Sequence, residues 1–272
     1  MKKVVLLFSS GLDSYLANHK LLTYKDLEVH RIYFDLNTVY SKHEKDIIFK
    51  RYVTPGGMSK LEDTVYMCDR FDMGFLERAN SYVPNRNLML VTAASAMFND
   101  ADEVYINSMK DDRVQDSDRE LFEEYSPVLS KSIGKEVKIK SLFWNIEKAD
   151  AVRHYITDGG VKLNLLLHTY SCFSMVLLER LLPVRTGLDT PSGPMYNSIG
   201  DFYITGCLEC AACFRRACAL TAVNLYIPFF DKELARSYLT SVNEEIHPSR
   251  FETIQKYNEF LEYDETEKRV SL

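Results

Sequence analysis

Val4-Val5-Leu6-Leu7-Phe8-Ser9-Ser10-Gly11-Leu12-Asp13-Ser14-Tyr15-Leu16-Ala17 is the stretch whose reading decides the fold. The apolar run Val4–Phe8 reads as a strand buried on both faces. A loop of small polar residues follows, and from Ser14 to about Leu22 the pattern turns helical. A strand that passes through a short polar loop into a helix offers backbone N–H groups and the positive end of the helix dipole to an anion. Serine hydroxyls flank Gly11, and Ser14 can cap the helix or donate. The order Ser-x-Gly-x-Asp-Ser differs from the phosphate loop ending in Gly-Lys-Ser/Thr and from the dinucleotide loop Gly-x-Gly-x-x-Gly. The bland alternative is a strand–turn–helix whose turn is merely polar.

Downstream, strand and helix patterns alternate. Glu28–Asp35 reads as a second strand, Lys42–Tyr52 as a charged helix and Thr64–Cys68 as a short third strand. Asn87–Asn99 is apolar almost all round, from Leu88 to Phe98, and should lie buried against a sheet. Strands at Glu103–Asn107 and Val137–Leu142 alternate with helices at Ser117–Ser132 and Glu147–Ile156. This pattern predicts an α/β fold, a parallel sheet with helices on both faces, with ligands taken at the carboxyl ends of the strands.

After Thr157 the pattern becomes irregular. Leu181–Gly200, rich in proline and glycine, reads as a long loop or insertion. A cysteine cluster follows, then helices near Asp231–Val242 and Arg250–Tyr263, and a polar end, Tyr263–Arg269, expected to fray. The expected organisation is a nucleotide-binding domain over 1–160 and a helical, metal-binding region over 161–272.

Composition narrows the function classes. The 272 residues are 46% hydrophobic and 26% charged, ordinary for a globular protein with a large core. A net charge of −6 argues against a generic nucleic-acid binder. No run approaches the ~20 apolar residues of a membrane span. The start, Met1-Lys2-Lys3 before an apolar run, imitates a secretory signal only briefly, because that run falls short of the ~7–15 residues required. A cytoplasmic location is the expectation.

The six cysteines are Cys68, Cys172, Cys207, Cys210, Cys213 and Cys218. Four fall within twelve residues, a poor layout for disulfides between distant segments and a good one for a metal. Gly206-Cys207-Leu208-Glu209-Cys210-Ala211-Ala212-Cys213 sets three thiols at intervals of three. Tetrahedral zinc needs a fourth ligand, for which Cys172 and Cys218 are the candidates. An iron–sulfur cluster is the rival, but the ferredoxin run places its fourth cysteine sooner and before proline. Here alanine follows Cys218, which favours zinc. Cys68, ending a short strand, reads as a buried apolar residue.

Two further stretches bear on the site. Val83-Pro84-Asn85-Arg86-Asn87 puts Arg86 at a helix start, where it can face an anion. Leu142-Phe143-Trp144-Asn145-Ile146-Glu147-Lys148 puts Lys148 just after a strand end. Trp144 reads as core, and His43, beside Glu44 and Lys45, as a minor site candidate.

The opening loop resembles the pyrophosphate loop, Ser-Gly-Gly-x-Asp-Ser, of ATP pyrophosphatases. With Val-Pro-Asn-Arg86-Asn, the Trp144–Lys148 segment, Ser41-Lys42-His43-Glu44-Lys45-Asp46-Ile47, His-Thr-Tyr-Ser-Cys172 and the cysteine triplet, the chain resembles the 7-cyano-7-deazaguanine synthase family over about residues 1–225. Two family glycines are replaced, by Ser10 in the loop and by Asn85 before Arg86. Asn107-Ser108 stands where the family has Thr-Gly, Asp116-Ser117-Asp118-Arg119 fits Pro-Asp-Cys-Arg loosely, and the Cys172–Cys207 interval is long.

The resemblance implies an adenine-nucleotide alpha-hydrolase-like, Rossmann-like fold and an ATP-dependent C–N ligase acting on a deazapurine. It implies ATP, Mg2+ and Zn2+ as cofactors, with Phe8, Ser9, Ser10, Gly11, Leu12, Asp13 and Ser14 holding the nucleotide. Asp13, Arg86 and Lys148 are the catalytic candidates, and Cys172, Cys207, Cys210 and Cys213 the zinc ligands. A homodimer and a protein acceptor are carried as partner expectations; a membrane or direct nucleic-acid partner is not expected. Some relatives serve antiviral defence, which points to a protein amine as an alternative acceptor. A tRNA-modifying pyrophosphate-loop enzyme and a non-catalytic nucleotide-binding relative complete the alternatives.

Overall fold

In the computed structural model, the first compact unit, Met1–Ile146, alternates strand and helix as the sequence pattern predicts. It contains β1 (Lys2–Leu7), α1 (Leu12–Thr23), β2 (Leu27–Phe34), α2 (Ser41–Ile48), β3 (Val65–Cys68), α3 (Arg86–Met97), β4 (Glu103–Tyr105), α4 (Arg119–Ile133) and β5 (Lys138–Lys140). The structure describes all residues except 50–64, 79–81, 111, 113–114, 158–162, 175–178, 191–192, 229–231, 241–247 and 271–272. The ends of three expected elements, at Lys50–Tyr52, Thr64 and Asp231 with Ser241–Val242, lie outside the described residues.

Five parallel strands form the sheet in the order β3-β2-β1-β4-β5. Strand alternation sends Val5 and Leu7 to one face, where they join Ile32, Phe34, Val104, Ile106 and Ile139 in a core with Val91 and Ala94 of α3 and Phe122 and Leu129 of α4. Val4 and Leu6 point the other way and are equally buried, as are Leu12, Leu16 and Leu21 of α1, which packs on β1 and β2. A strand covered on both faces has no place for polar residues, hence the continuous apolar run. The chain steps from β1 outward to β3, then crosses back to β4 on the far side of β1. That reversal opens a crevice at the carboxyl ends of β1 and β4, where sheets of this kind take ligands. Loop 8–11 leaves the central strand there.

The expectation of a fully buried α3 needs correction. Val91 and Ala94 are 0% exposed, yet Met89 and Met97 are 40% and 51% exposed. One face packs on β1 and β4, and the opposite face of this apolar helix meets solvent. Scattered exposed apolar residues are ordinary on protein surfaces.

The second unit, Glu147–Leu272, holds α5 (Lys148–Thr157), α6 (Leu163–Leu167), β6 (Glu179–Thr190), β7 (Gly193–Thr205), α7 (Ala211–Leu220), β8 (Leu225–Tyr226), α8 (Lys232–Thr240) and α9 (Pro248–Val270). The sequence pattern predicts a long loop or insertion at Leu181–Gly200; its described residues, on either side of 191–192, instead belong to the two strands of an antiparallel hairpin. β6 and β7 pair from Glu179↔Thr205 to Thr190↔Gly193, and β8 adds to β6. Two of its prolines sit where a strand tolerates them. Pro183 adjoins the register shift before Arg185, and Pro194 lies on the edge strand. α9 likewise continues to Val270, through the polar end expected to fray. It packs on α7, where Phe214 and Tyr257 meet edge to face at 5.7 Å and the Tyr257 hydroxyl donates to Ile227 O at 2.7 Å. Among the described residues no helix is long and apolar enough to cross a membrane.

Candidate functional site

The loop after β1 owes its shape to two residues. Phe8 is still paired, its N–H donating to Ile32 O at 2.8 Å. Ser10 then turns the chain with φ 58°, and Gly11 opens α1 with φ −64°. Left-handed backbone is uncommon for a residue with a Cβ, which explains why the resembled loop has glycine at this position. Ser10 is 1% exposed, and its hydroxyl has no hydrogen-bond partner.

Below it, the Gly11 carbonyl accepts from Ser14 Oγ at 3.0 Å and from Tyr15 N–H at 2.9 Å. Gly11 has no side chain to cap α1, its own N–H donates to Ser9 Oγ at 3.4 Å, and the positive end of the helix faces the switch point. On the neighbouring strand's loop, Asn107 Nδ2 donates to Leu7 O at 2.5 Å, which leaves Asn107 Oδ1 buried and unmatched. An unmatched hydroxyl and an unmatched carbonyl oxygen therefore flank the switch point. Each costs about 1–3 kcal/mol unless a ligand answers it.

Ser10→Gly tests the strain directly. It removes the left-handed Cβ and the unmatched hydroxyl, and it loses ~0.5–1 kcal/mol to glycine's freedom in the unfolded chain. The net expectation is a gain of about 1 kcal/mol, read as a higher Tm, with tighter ATP binding by calorimetry. A lower Tm contradicts the strain.

Asn85, the second replaced glycine, also sits at positive φ, 56°. Asparagine tolerates that region better than most residues. Arg86 follows as the first residue of α3 and donates from Nη1 to the Tyr40 hydroxyl at 3.0 Å. Asp116 caps the helix, accepting from Asn87 N–H at 2.9 Å, while Asn87 Nδ2 donates to Ser117 Oγ at 2.9 Å. Glu44, half-buried on α2, completes the group. Burial pushes its carboxyl up to about 7; the Arg86 charge and a 3.4 Å hydrogen bond from Tyr33 oppose the rise, and Asp35 adds to it. Burial likewise pushes the Tyr33 and Tyr40 hydroxyls up.

Sequence reasoning missed Glu44, Tyr40 and Asp116 as site residues. Glu44 and Asp116 lie in stretches that resemble family motifs, but neither matches a motif position that would single it out, and a tyrosine before a helix carries no signal until the fold joins them. His43 lies beside them on α2, half-buried, its N–H donating to Tyr40 O at 3.1 Å.

In the second unit, the sulfurs of Cys172, Cys207, Cys210 and Cys213 all lie within 4.8 Å of one another. Thiolates ~2.3 Å from a tetrahedral zinc stand about 3.8 Å apart. Cys207 and Cys213 are separated by 4.0 Å and Cys210 and Cys172 by 3.9 Å, so the set fits the ion. Backbone N–H groups turn toward the sulfurs: Ser174 and Cys207 donate to Cys172 Sγ at 3.3 Å, and Glu209 and Cys210 donate to Cys207 Sγ at 3.4 and 3.3 Å. Crowding divides the four thiols. Hydrogen bonding with Cys172 holds Cys207 down to about 6 and lowers Cys210, while Cys172 is pushed up by Cys207 and Cys213 by Cys172. A divalent cation is what allows all four to ionise together.

Gly206 shapes the approach with φ +128°, and a Cβ there would stand 2.9 Å from Cys213 Sγ. Arg216 of α7, 2% exposed, donates to Thr169 Oγ1 at 2.9 Å and to the Leu166 and Leu167 carbonyls at 3.1 and 2.8 Å. It ties the segment bearing Cys172 to the helix bearing Cys213. Cys218 is buried outside the cluster, its thiol pushed up by burial.

Within its own unit, then, the fold brings loop Phe8–Ser14 and Arg86 to the carboxyl edge of one sheet, and in the other unit it gathers the four cysteines. Lys148 is the first residue of α5 in the second unit. Trp144 packs on the core, stacked on Phe122 at 6.4 Å.

A parallel five-stranded sheet, a polar loop at its switch point and a zinc-competent four-cysteine cluster define an α/β nucleotide-binding protein of the pyrophosphate-loop class. The chain belongs to the QueC family: the model for the queuosine biosynthesis protein QueC matches residues 3–224. Members are 7-cyano-7-deazaguanine synthases, ATP-using ligase-type enzymes of queuosine biosynthesis. No curated protein matches the chain in sequence. Among solved structures, a "predicted subunit of tRNA methyltransferase" from Methanocaldococcus jannaschii aligns at 17% identity over 58% of this chain and 75% of that one, with a TM-score of 0.36. That likeness is too distant to argue from.

Proposed function

We propose that this chain adenylates the carboxylate of 7-carboxy-7-deazaguanine and passes the acyl group to an amine, ending as 7-cyano-7-deazaguanine with ammonia as donor. The observation that carries the reading is the loop at the switch point. Ser10 holds a left-handed turn that aims the start of α1 at the switch point, next to two unmatched polar atoms.

In this reading Phe8–Ser14 cradle the phosphates beyond the α-phosphate, with backbone N–H groups supplying most of the field. A substrate carboxylate oxygen attacks the α-phosphorus and pyrophosphate leaves. The amine nitrogen then attacks the acyl carbon and AMP leaves, giving the amide. A second activation, of the amide oxygen, dehydrates it to the nitrile. Asp13 orients the loop or holds Mg2+, which would offset phosphate charge. Arg86 and Lys148 are assigned to the charge on the phosphates or on the substrate carboxylate. Zinc is structural, because four thiolates leave no open coordination position.

Cytoplasmic location and homodimerisation belong to the same proposal. A second reading, transfer to a protein amine, draws support from the hairpin β6–β7, which enlarges the Cys172–Cys207 interval and gives a larger partner something to dock on. One incubation separates them. With ATP, the acid and ammonium, AMP formation should depend on the acid, and mass spectrometry should find the nitrile. A stalled amide or adenylate favours the protein acceptor, and acid-independent or absent AMP release contradicts both.

A further inference from the structure

We propose that Glu44 takes the proton from the attacking amine in the second half-reaction. The proposal rests on the adenylation reading above and deepens it. An acyl adenylate already has a good leaving group; what it lacks at neutral pH is a nucleophile. Ammonia and alkylamines are then mostly ammonium, with no lone pair to donate. Turning ammonium into an amide releases two protons: a base takes the first, which frees the lone pair that attacks the acyl carbon, and the second leaves the nitrogen to solvent once the C–N bond has formed. The C–O bond to the phosphate breaks, and its electron pair leaves with AMP.

Glu44 is placed for this. Tyr33 is the last residue but one of β2, Tyr40 and Glu44 follow the strand, and Arg86 starts α3, so the group stands on the carboxyl edge of the sheet. β2 is hydrogen-bonded to β1, and neighbouring strands lie ~4.8 Å apart, so the same edge carries loop 8–11. The bland reading is a structural carboxylate neutralised by Arg86. Two other acids show what that looks like here. Glu103, 2% exposed, is held by Lys2 at 2.6 Å, by Lys140 and by the Tyr105 hydroxyl at 2.8 Å. Asp35 is held by Lys45 at 2.8 Å.

Glu44 has neither arrangement. No ion pair among the described residues includes it, and its hydrogen bond is the long one from Tyr33. Arg86, the cation facing it, is bonded to Tyr40 instead. The groups that face Glu44 are Tyr33 of β2, Asp35 after it, Tyr40 before α2 and Arg86 of α3. Burial dominates their sum and pushes the carboxyl up to about 7, a value suited to accepting and releasing a proton near neutrality.

The test is Glu44→Gln, which keeps the shape and removes the base, read by three assays on the full chain. Acid-dependent ATP–pyrophosphate exchange reports folding and adenylation and should stay within about twofold. Amide formation from ammonium should fall about 10²-fold or more, the usual scale of general-base catalysis. Hydroxylamine, already a free base at neutral pH, should react with the variant almost as with the parent. The parent's break near pH 7 in the ammonium profile should vanish. Unchanged ammonium rates, an equal loss with hydroxylamine, or loss of exchange in the variant each overturns the role. Absence of exchange in the parent protein instead overturns the adenylation reading, and the role with it.

Discussion

Cys172→Ser should strip the chain of the proposed zinc and unfold its second unit, because the ion would close a cluster that the local chain does not stabilise by itself. Four mutually close sulfurs form the cluster, three of them on one short segment and Cys172 brought in from 35 residues away. Without a cation, ionised thiols repel and neutral ones leave the N–H groups aimed at sulfur poorly matched. Zinc affinity is therefore folding energy, of order 10 kcal/mol for a complete thiolate site, and one missing ligand removes several of those. Elemental analysis should give one zinc per parent chain and a small fraction of that in Cys172→Ser, with loss of helical circular dichroism or of solubility. Gly206→Ala should act alike without touching a ligand, since its Cβ would meet Cys213 Sγ at 2.9 Å on a backbone at φ +128°. Cys218→Ser should keep its metal. Iron in place of zinc, or full zinc in Cys172→Ser, contradicts the assignment.

Asp13→Ala should abolish adenylation and leave the fold in place. Asp13 stands in the first turn of α1, one residue beyond Leu12 and next to Ser14, whose hydroxyl is bonded to Gly11 O. Its place in the chain puts it beside the segment assigned to the phosphates, where a cation or the loop itself needs a negative partner. Losing an acid from a helix first turn costs the fold only ~0.3–1 kcal/mol. Losing an electrostatic group from the reacting site typically costs about 10²–10³-fold in rate. Acid-dependent AMP release should drop by at least that factor, with a small change in Tm, and Asp13→Asn should fall almost as far. Full ATP affinity by calorimetry with unchanged turnover in Asp13→Ala contradicts the role.

The sequence carries the sheet well because burial leaves a strong trace. Val4–Phe8 is apolar throughout as the central strand covered on both faces, and Leu27–Phe34 alternates with it in the expected parallel order. It carries the metal centre for a different reason: thiol spacing is chemistry written directly in the chain. The hairpin was illegible because Pro183, Pro194 and the glycines between them read as loop, although a register shift and a sheet edge accommodate them. The amphipathic balance of α3 was overread, since Met89 and Met97 mimic core positions on a solvent face. Least legible was the group around Arg86. Tyr40, Glu44 and Asp116 lie up to 76 positions apart in the chain, and only the crossover that brings α3 back beside β1 joins them.

The proposed reaction begins with attack of a substrate carboxylate oxygen on the α-phosphorus of ATP. It is tested most directly with 7-carboxy-7-deazaguanine carrying 18O in both carboxylate oxygens, incubated with the protein, ATP, Mg2+ and ammonium. One 18O should appear in the phosphate of AMP, with unlabelled pyrophosphate beside it. AMP without label, or label in inorganic phosphate accompanied by ADP, contradicts adenylation.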